Sequence, residues 1–366
     1  MAPKRKIMFC RKQGESQMKT MTSKERIDAV LNHQPVDRTP FALVDGGAWI
    51  AKTENLSYRQ LYSLEDGGAS KIEKWTDEIE TDIISAVSGV FTACLNAFGC
   101  PIHIDEPGRP TDTGAVFTDP EEEIPQLDKS TIREKLLANE FVQGMIRQCK
   151  NVKALIGDRK YLLGDIAGPF TMAAVMVGTQ DFIMLMLDEP ELVEQLLDFT
   201  TCVSAEMFHL LHENGCDIAL PAEPVASGSL ISQGMFEEWV IPALENLKAA
   251  LPEYKYFFTH VCGASGPRVK SLRDAGVRAF SGDYLVDLDT ALTDADGRLV
   301  MMGNINPAGV LLTGTADEVY AEACERIRTA NGRGHILAPG CDMGAATPLE
   351  NGKMLVKACK DMAARG

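Results

Sequence analysis

His260-Val261-Cys262 places an imidazole and a thiol two residues apart. In extended chain that spacing puts both side chains on one side of a strand, where they can converge on a single ion. Cys341 follows 79 residues after Cys262, directly behind an apolar run and Pro339-Gly340. One imidazole and two thiolates suit Zn²⁺ better than Mg²⁺ or Ca²⁺. Three protein ligands with a fourth position open are the arrangement of a catalytic zinc site rather than a structural one. An isolated His-x-Cys ordinarily marks a hydrogen-bonded core histidine and a packed cysteine. Here all three residues stand where apolar runs stop, which favours a metal.

Other residues stand at such ends: Asp45, Asp165, Glu223, Asp283 and Asn304. Asp283 reads as a base for a thiol proton or a weak fourth ligand, and Glu223 as a second catalytic carboxylate that could equally cap the next helix. Asp165, Asn304 and Trp49 are the expected substrate contacts. Gly164-Asp165-Ile166-Ala167-Gly168-Pro169-Phe170-Thr171 reads as a strand turning tightly into a helix, with backbone N–H groups able to hold an anion. No Walker A loop or G-x-G-x-x-G fingerprint supports nucleotide binding.

Something must bring these ends together. Short apolar runs at 41–44, 83–87, 161–164, 218–221, 256–259, 277–280, 299–302 and 335–338 alternate with helical stretches. That is the pattern of βα units around a parallel sheet. Eight such units close most simply into a (β/α)₈ barrel, whose chemistry sits at the C-terminal ends of its strands. Thr22-Ser23-Lys24-Glu25 is a capping box opening the first helix. Pro190 starts another, and helices are expected from 315 to 327 and 349 to 362. The segment 100–120 reads as an inserted hairpin or loop. With no repeat or Pro/Ser-rich linker, the expectation is a single α/β barrel over 22–366 behind an N-terminal extension, 1–21.

The 366 residues carry 36 Lys+Arg against 52 Asp+Glu, a formal charge of −16. That balance argues against nucleic acid and anionic membranes as partners. No apolar run reaches the ~20 residues of a membrane span, and the basic start lacks the apolar stretch of a signal peptide, so a cytoplasmic protein is expected. There the ten cysteines stay reduced. Two join His260 and the other eight are expected to pack. A homo-oligomer is compatible with this reading.

Val36-Asp37-Arg38-Thr39-Pro40, Gly168-Pro169-Phe170-Thr171, Gly303-Asn304-Ile305-Asn306-Pro307 and the run from His335 to Cys341 resemble, in order, the uroporphyrinogen decarboxylase superfamily. The His-x-Cys…Cys set is similar to its corrinoid-dependent methyltransferase branch. The resemblance implies a single barrel, zinc on His260, Cys262 and Cys341, and a separate corrinoid protein whose methylcobalamin docks over the barrel mouth. A methyl group would pass from it to a small thiol such as coenzyme M. The reverse, demethylation of an aryl methyl ether or another methyl donor onto cob(I)alamin, needs the same metal and docking face. A metal-free decarboxylase and a non-catalytic member are the remaining readings. Porphyrinogen decarboxylation is disfavoured because 45–52 (DGGAWIAK) has no arginine where the decarboxylases carry an arginine-rich, carboxylate-binding segment. Arg109 and Arg268 are the nearest cations for a sulfonate.

Overall fold

Thr22 and Glu25 close the expected capping box. The Thr22 hydroxyl accepts from Glu25 N at 3.2 Å, and the Glu25 carboxylate accepts from Thr22 N at 2.8 Å. Helix Ser23–Leu31 follows. Thr315 and Glu318 repeat the device ahead of helix Ala316–Ala330. Pro190 supplies the preset φ at the first position of helix Pro190–Glu213. The computed structural model describes residues 19–61, 68–87, 92–104 and 110–364.

The strands, in order, are β1 (Ile83–Ser85), β2 (Ile102–Ile104), β3 (Pro110–Asp112), β4 (Tyr161–Ala167), β5 (Ile218–Ala222), β6 (Tyr256–Val261), β7 (Ala279–Gly282), β8 (Val300–Met302) and β9 (His335–Ile336). Seven form one parallel sheet in the order β1-β4-β5-β6-β7-β8-β9. Phe41 and Ala42 close the ring, bridging Leu337 on one side and Ile83 on the other. Ala42 N donates to Leu337 O at 3.0 Å and Asp82 N to Phe41 O at 2.7 Å. The fold is therefore the expected (β/α)₈ barrel.

All eight expected strand positions are occupied with ends shifted by up to three residues, and two differ most. The first shrinks to bridges, because Pro40 offers no N–H and the Asp45-Gly46 turn leads at once into helix Gly47–Glu54. β7 pairs two residues later than expected, because Val277 N is taken by Leu272 O at the end of the preceding helix. Of the hairpin or loop expected in the inserted segment, the structure shows a hairpin, β2 and β3 pairing antiparallel with Ile102 opposite Asp112.

Period-2 alternation divides the barrel into two apolar layers. Leu163, Leu220, Ala222, Phe258, Ala279, Val300, Met302 and Ile336 fill the interior, which Ile27, Val30 and Leu31 of the first helix close at its N-terminal end. The larger layer lies between sheet and helices. At the closure, fully buried Asp82 takes Arg26 Nη1 at 2.7 Å, Arg38 Nη1 at 2.9 Å and Phe41 N at 2.9 Å. Among the described residues no single helix is long and apolar enough to cross a membrane.

Candidate metal centre

Strand register decides what reaches the lumen. Ala222, His260 and Ser281 are aligned across β5, β6 and β7, and Ser281, Met302 and Ile336 across β7, β8 and β9. Ala222, Met302 and Ile336 belong to the interior layer, so His260 and Ser281 point inward with them. Asp165 follows the interior Leu163 by two residues and pairs with Leu220, placing it on the same face. A ring of polar groups thus stands on an apolar floor at the C-terminal end of the barrel, where the strands hand over to the loops.

His260, Cys262 and Cys341 meet there, with one ligand atom from each lying within 4.8 Å of the others. His260 Nε2 is 3.0 Å from Cys262 Sγ, and Cys262 Sγ is 3.8 Å from Cys341 Sγ. Two sulfurs about 2.3 Å from a tetrahedral zinc would also lie about 3.8 Å apart. The nitrogen–sulfur contact is a hydrogen bond, shorter than the roughly 3.5 Å that tetrahedral zinc would set, and a metal would replace it. His260 is buried while both cysteines are partly exposed, so the cluster opens toward the mouth. The donor set and its spacing fit a zinc ion.

The hydrogen bond from Cys262, helped by neighbouring His260, holds the Cys341 thiol well below the usual range against its burial. The same bond and burial push Cys262 up, as do the negative charges of Cys341, Asp283 and Asp165. The pair thus keeps one proton, which binding of a metal would expel.

Cys341 owes its place to Gly340. A Cβ there would stand 2.4 Å from Tyr284 N and 3.1 Å from the Asp283 carbonyl carbon. Only glycine lets the loop behind β9 press onto the loop behind β7. Asn304 ties down the other side of that loop, donating from Nδ2 to Asp283 O at 3.1 Å and Val286 O at 2.6 Å. Its buried Oδ1 has no protein partner among the described residues.

The uroporphyrinogen decarboxylase (URO-D) family model matches residues 22–362. The chain belongs to the URO-D family. A methylcobamide:CoM methyltransferase (MtaA) of Methanosarcina barkeri is 26% identical over 354 residues, 93% of this chain and 98% of its own. MtbA of Methanosarcina acetivorans, also a methylcobamide:CoM methyltransferase, is 27% identical over 355 residues, 94% and 99% of the two chains. A solved methyltransferase from Methanosarcina mazei shares the fold, with TM-score 0.82 at 24% identity over 93% and 98% of the two chains. The superfamily resemblance expected from the sequence is thereby borne out along nearly the whole chain.

Within this URO-D barrel the remaining expected residues take different places. Asp283 lies beside the cluster, its Oδ1 accepting Leu285 N at 3.0 Å. Glu223 is wholly buried, and its carboxylate accepts Phe170 N at 3.1 Å and Thr171 N at 2.7 Å. The anion held by the helix after Gly168 is therefore the protein's own carboxylate, which burial pushes up to about 7. A Cβ on Gly168 would lie 2.2 Å from Glu223 Oε1, so that glycine makes room for the cap. Trp49 is buried against Trp75, ring centroids 5.4 Å apart, and its Nε1 donates to Thr347 O at 2.9 Å. It braces the stretch behind Cys341. Asp45 turns back on its own backbone, accepting Gly46 N at 2.6 Å and Gly47 N at 3.0 Å.

Of the two cations considered for a sulfonate, Arg109 lies outside the described residues. Arg268 is buried, donating to Gln233 Oε1 and Ile231 O and stacking on Phe236. It holds a loop and does not present its charge to the mouth. Ser281 is the residue that reading of the sequence missed: its hydroxyl lies 2.9 Å from His260 Nδ1. The available signal was a polar residue directly after the apolar run at 277–280, in the register that faces His260.

Proposed function

We propose that this chain is a zinc-dependent methyltransferase that moves a methyl group from the cobalt of a corrinoid protein to a small thiol. The supporting observation is the convergence of His260, Cys262 and Cys341 at the barrel mouth, partly open to solvent. The similarity over nearly full length to methylcobamide:CoM methyltransferases names the reaction class.

His260, Cys262 and Cys341 would hold the ion. A zinc ion held there would supply an open position and the positive charge to lower the pKa of a substrate thiol. In the transfer the cobalt–carbon bond breaks, leaving its electron pair on cobalt, while the carbon–sulfur bond forms. The chain itself supplies position and access. Gly340 and Asn304 fix the two loops that present Cys341 and Asp283, and Ala222, Met302 and Ile336 give a dry floor. Asp165 and Asp283 lie close enough to Cys262 for their charges to act on it, and with Asn304 are the groups we assign to the substrate and its proton.

A corrinoid carried by another protein needs an open rim. Leu230, Tyr284 and Leu285, on the loops behind β5 and β7, are 49%, 40% and 57% exposed. A hollow of about 350 Å³ lies beside them, lined by Ile231, Gln233, Pro267 and Leu285. This rim matches a partner recognised by shape and apolar contact rather than by charge steering, given the chain's −16.

Metal analysis tests the reading first. Purified protein should carry about one zinc per chain, removable by chelator and lost in His260→Ala or Cys341→Ser. A chain that takes up no zinc would refute it.

A further inference from the structure

The β6–β7 register aligns His260 with Ser281, and Ser281 Oγ lies 2.9 Å from His260 Nδ1. Ser281 is 0% exposed and His260 6%, so water has little access to that nitrogen. Among the described residues this hydroxyl is the partner of Nδ1.

A neutral imidazole has one N–H and one lone pair, and the hydrogen bond made by one nitrogen decides which tautomer the ring adopts. For Nε2 to offer a lone pair toward Cys262 and Cys341, the hydrogen must sit on Nδ1 and find an acceptor. Ser281 Oγ is that acceptor. With the hydroxyl removed, a buried Nδ1–H loses its partner. The ring is then better served by the other tautomer, whose Nε2–H points at Cys262 Sγ, 3.0 Å away, and closes the position a metal would use.

The choice of a hydroxyl is informative. Metal-bound histidines commonly donate to a carboxylate or a backbone carbonyl. A carboxylate here would add another negative charge to those that Cys341, Asp165 and Asp283 already bring near Cys262. A serine adds none.

Building on the zinc reading above, we propose that Ser281 is the positioning residue of the centre, holding His260 in the Nδ1–H tautomer and so setting metal affinity. The experiment is chelator competition for Zn²⁺ and Co²⁺ on the wild-type chain, Ser281→Ala and Ser281→Thr, with the visible spectrum of the Co²⁺ forms recorded alongside. Ser281→Ala should bind both ions about 10- to 100-fold more weakly, the usual effect of losing such a partner. It should also shift the Co²⁺ bands, while Ser281→Thr, which keeps the hydroxyl, stays within about threefold of wild type.

A second readout needs no variant. In protein labelled with ¹⁵N-histidine, which has six histidines to assign, the zinc-loaded form should carry the His260 proton on Nδ1. Wild-type affinity in Ser281→Ala, or a proton on Nε2 in the loaded protein, overturns the role of Ser281 while leaving the metal centre standing. A wild-type chain that binds neither ion overturns both.

Discussion

Cys262 Sγ and Cys341 Sγ lie 3.8 Å apart although 79 residues separate them along the chain. Two different strand ends deliver them to one point, so each can be removed without touching the other's backbone. Cys341→Ser should lower bound zinc from about one per chain to under about a tenth and reduce methyl transfer at least ~100-fold. Both cysteines are partly exposed, so melting temperature should move by only a few degrees. Metal analysis and calorimetry on the same samples check it.

Gly340 makes a sharper geometric prediction. A methyl group there meets the Tyr284 backbone at 2.4 Å, which no side-chain rotation can relieve. Gly340→Ala should cost about 1–3 kcal/mol of stability, as overpacking does. It should also weaken zinc binding by roughly tenfold or more, because the shift falls on the residue before a ligand. Denaturant unfolding and chelator titration separate the two effects.

Asp82 does its work at the opposite end of the barrel, holding Arg26, Arg38 and the closing Phe41 N–H. Removing one partner of a buried charge network leaves the others uncompensated, at about 3–5 kcal/mol. Asp82→Ala should therefore be strongly destabilising, yet the protein that remains folded should keep full zinc occupancy. A proportional loss of zinc from the folded fraction would contradict the separation of stability and site.

Glu223 gives a pH signature. Its folded-state value is raised to about 7 by burial, above the ordinary carboxylate value of an unfolded chain. The folded state therefore binds the proton more tightly, so the stabilising contribution is complete below about pH 4.5 and is lost as pH rises through about 7. The swing has a ceiling of about 3 kcal/mol. Glu223→Gln should remove it: the stability of the variant relative to wild type should climb between about pH 4.5 and 7 and level off above. Melting temperatures across that range measure it.

Leu285 tests the rim. Leu285→Asp puts a charge on a side chain that is 57% exposed beside the mouth. Its rate with a methylated corrinoid protein should fall at least ~10-fold further than its rate with free methylcobalamin. Equal losses with the two donors would remove Leu285 from the docking surface.

The sequence showed the parts of this molecule that local chemistry decides. The Thr22/Glu25 capping box, the Pro190 helix start and six of the eight strand positions follow from short-range patterns. His260 and Cys262 were legible because a two-residue spacing has one meaning in a strand, and Cys341 because it ends the last apolar run. Legibility failed where a side chain's partner comes from elsewhere in the chain. Glu223 at a strand end looks the same in sequence whether it faces substrate or two backbone N–H groups of the neighbouring helix. Trp49 looks the same facing a ligand or bracing Thr347. Arg268 shows a charge but not the loop that encloses it, and Ser281 acquires meaning only through the β6–β7 register.

Methyl transfer itself decides whether this barrel is the enzyme proposed. Zinc-loaded protein is mixed with methylcobalamin, free or on a corrinoid protein, and a small thiol, and both the cobalt spectrum and the thiol product are followed. The methylcobalt spectrum should be lost in step with formation of the S-methyl product, and Cys341→Ser should abolish both. No thiol methylation from either donor, or turnover that survives Cys341→Ser, would contradict that proposal. Methylation of added cob(I)alamin by a methoxyaromatic in place of thiol methylation would reverse the direction.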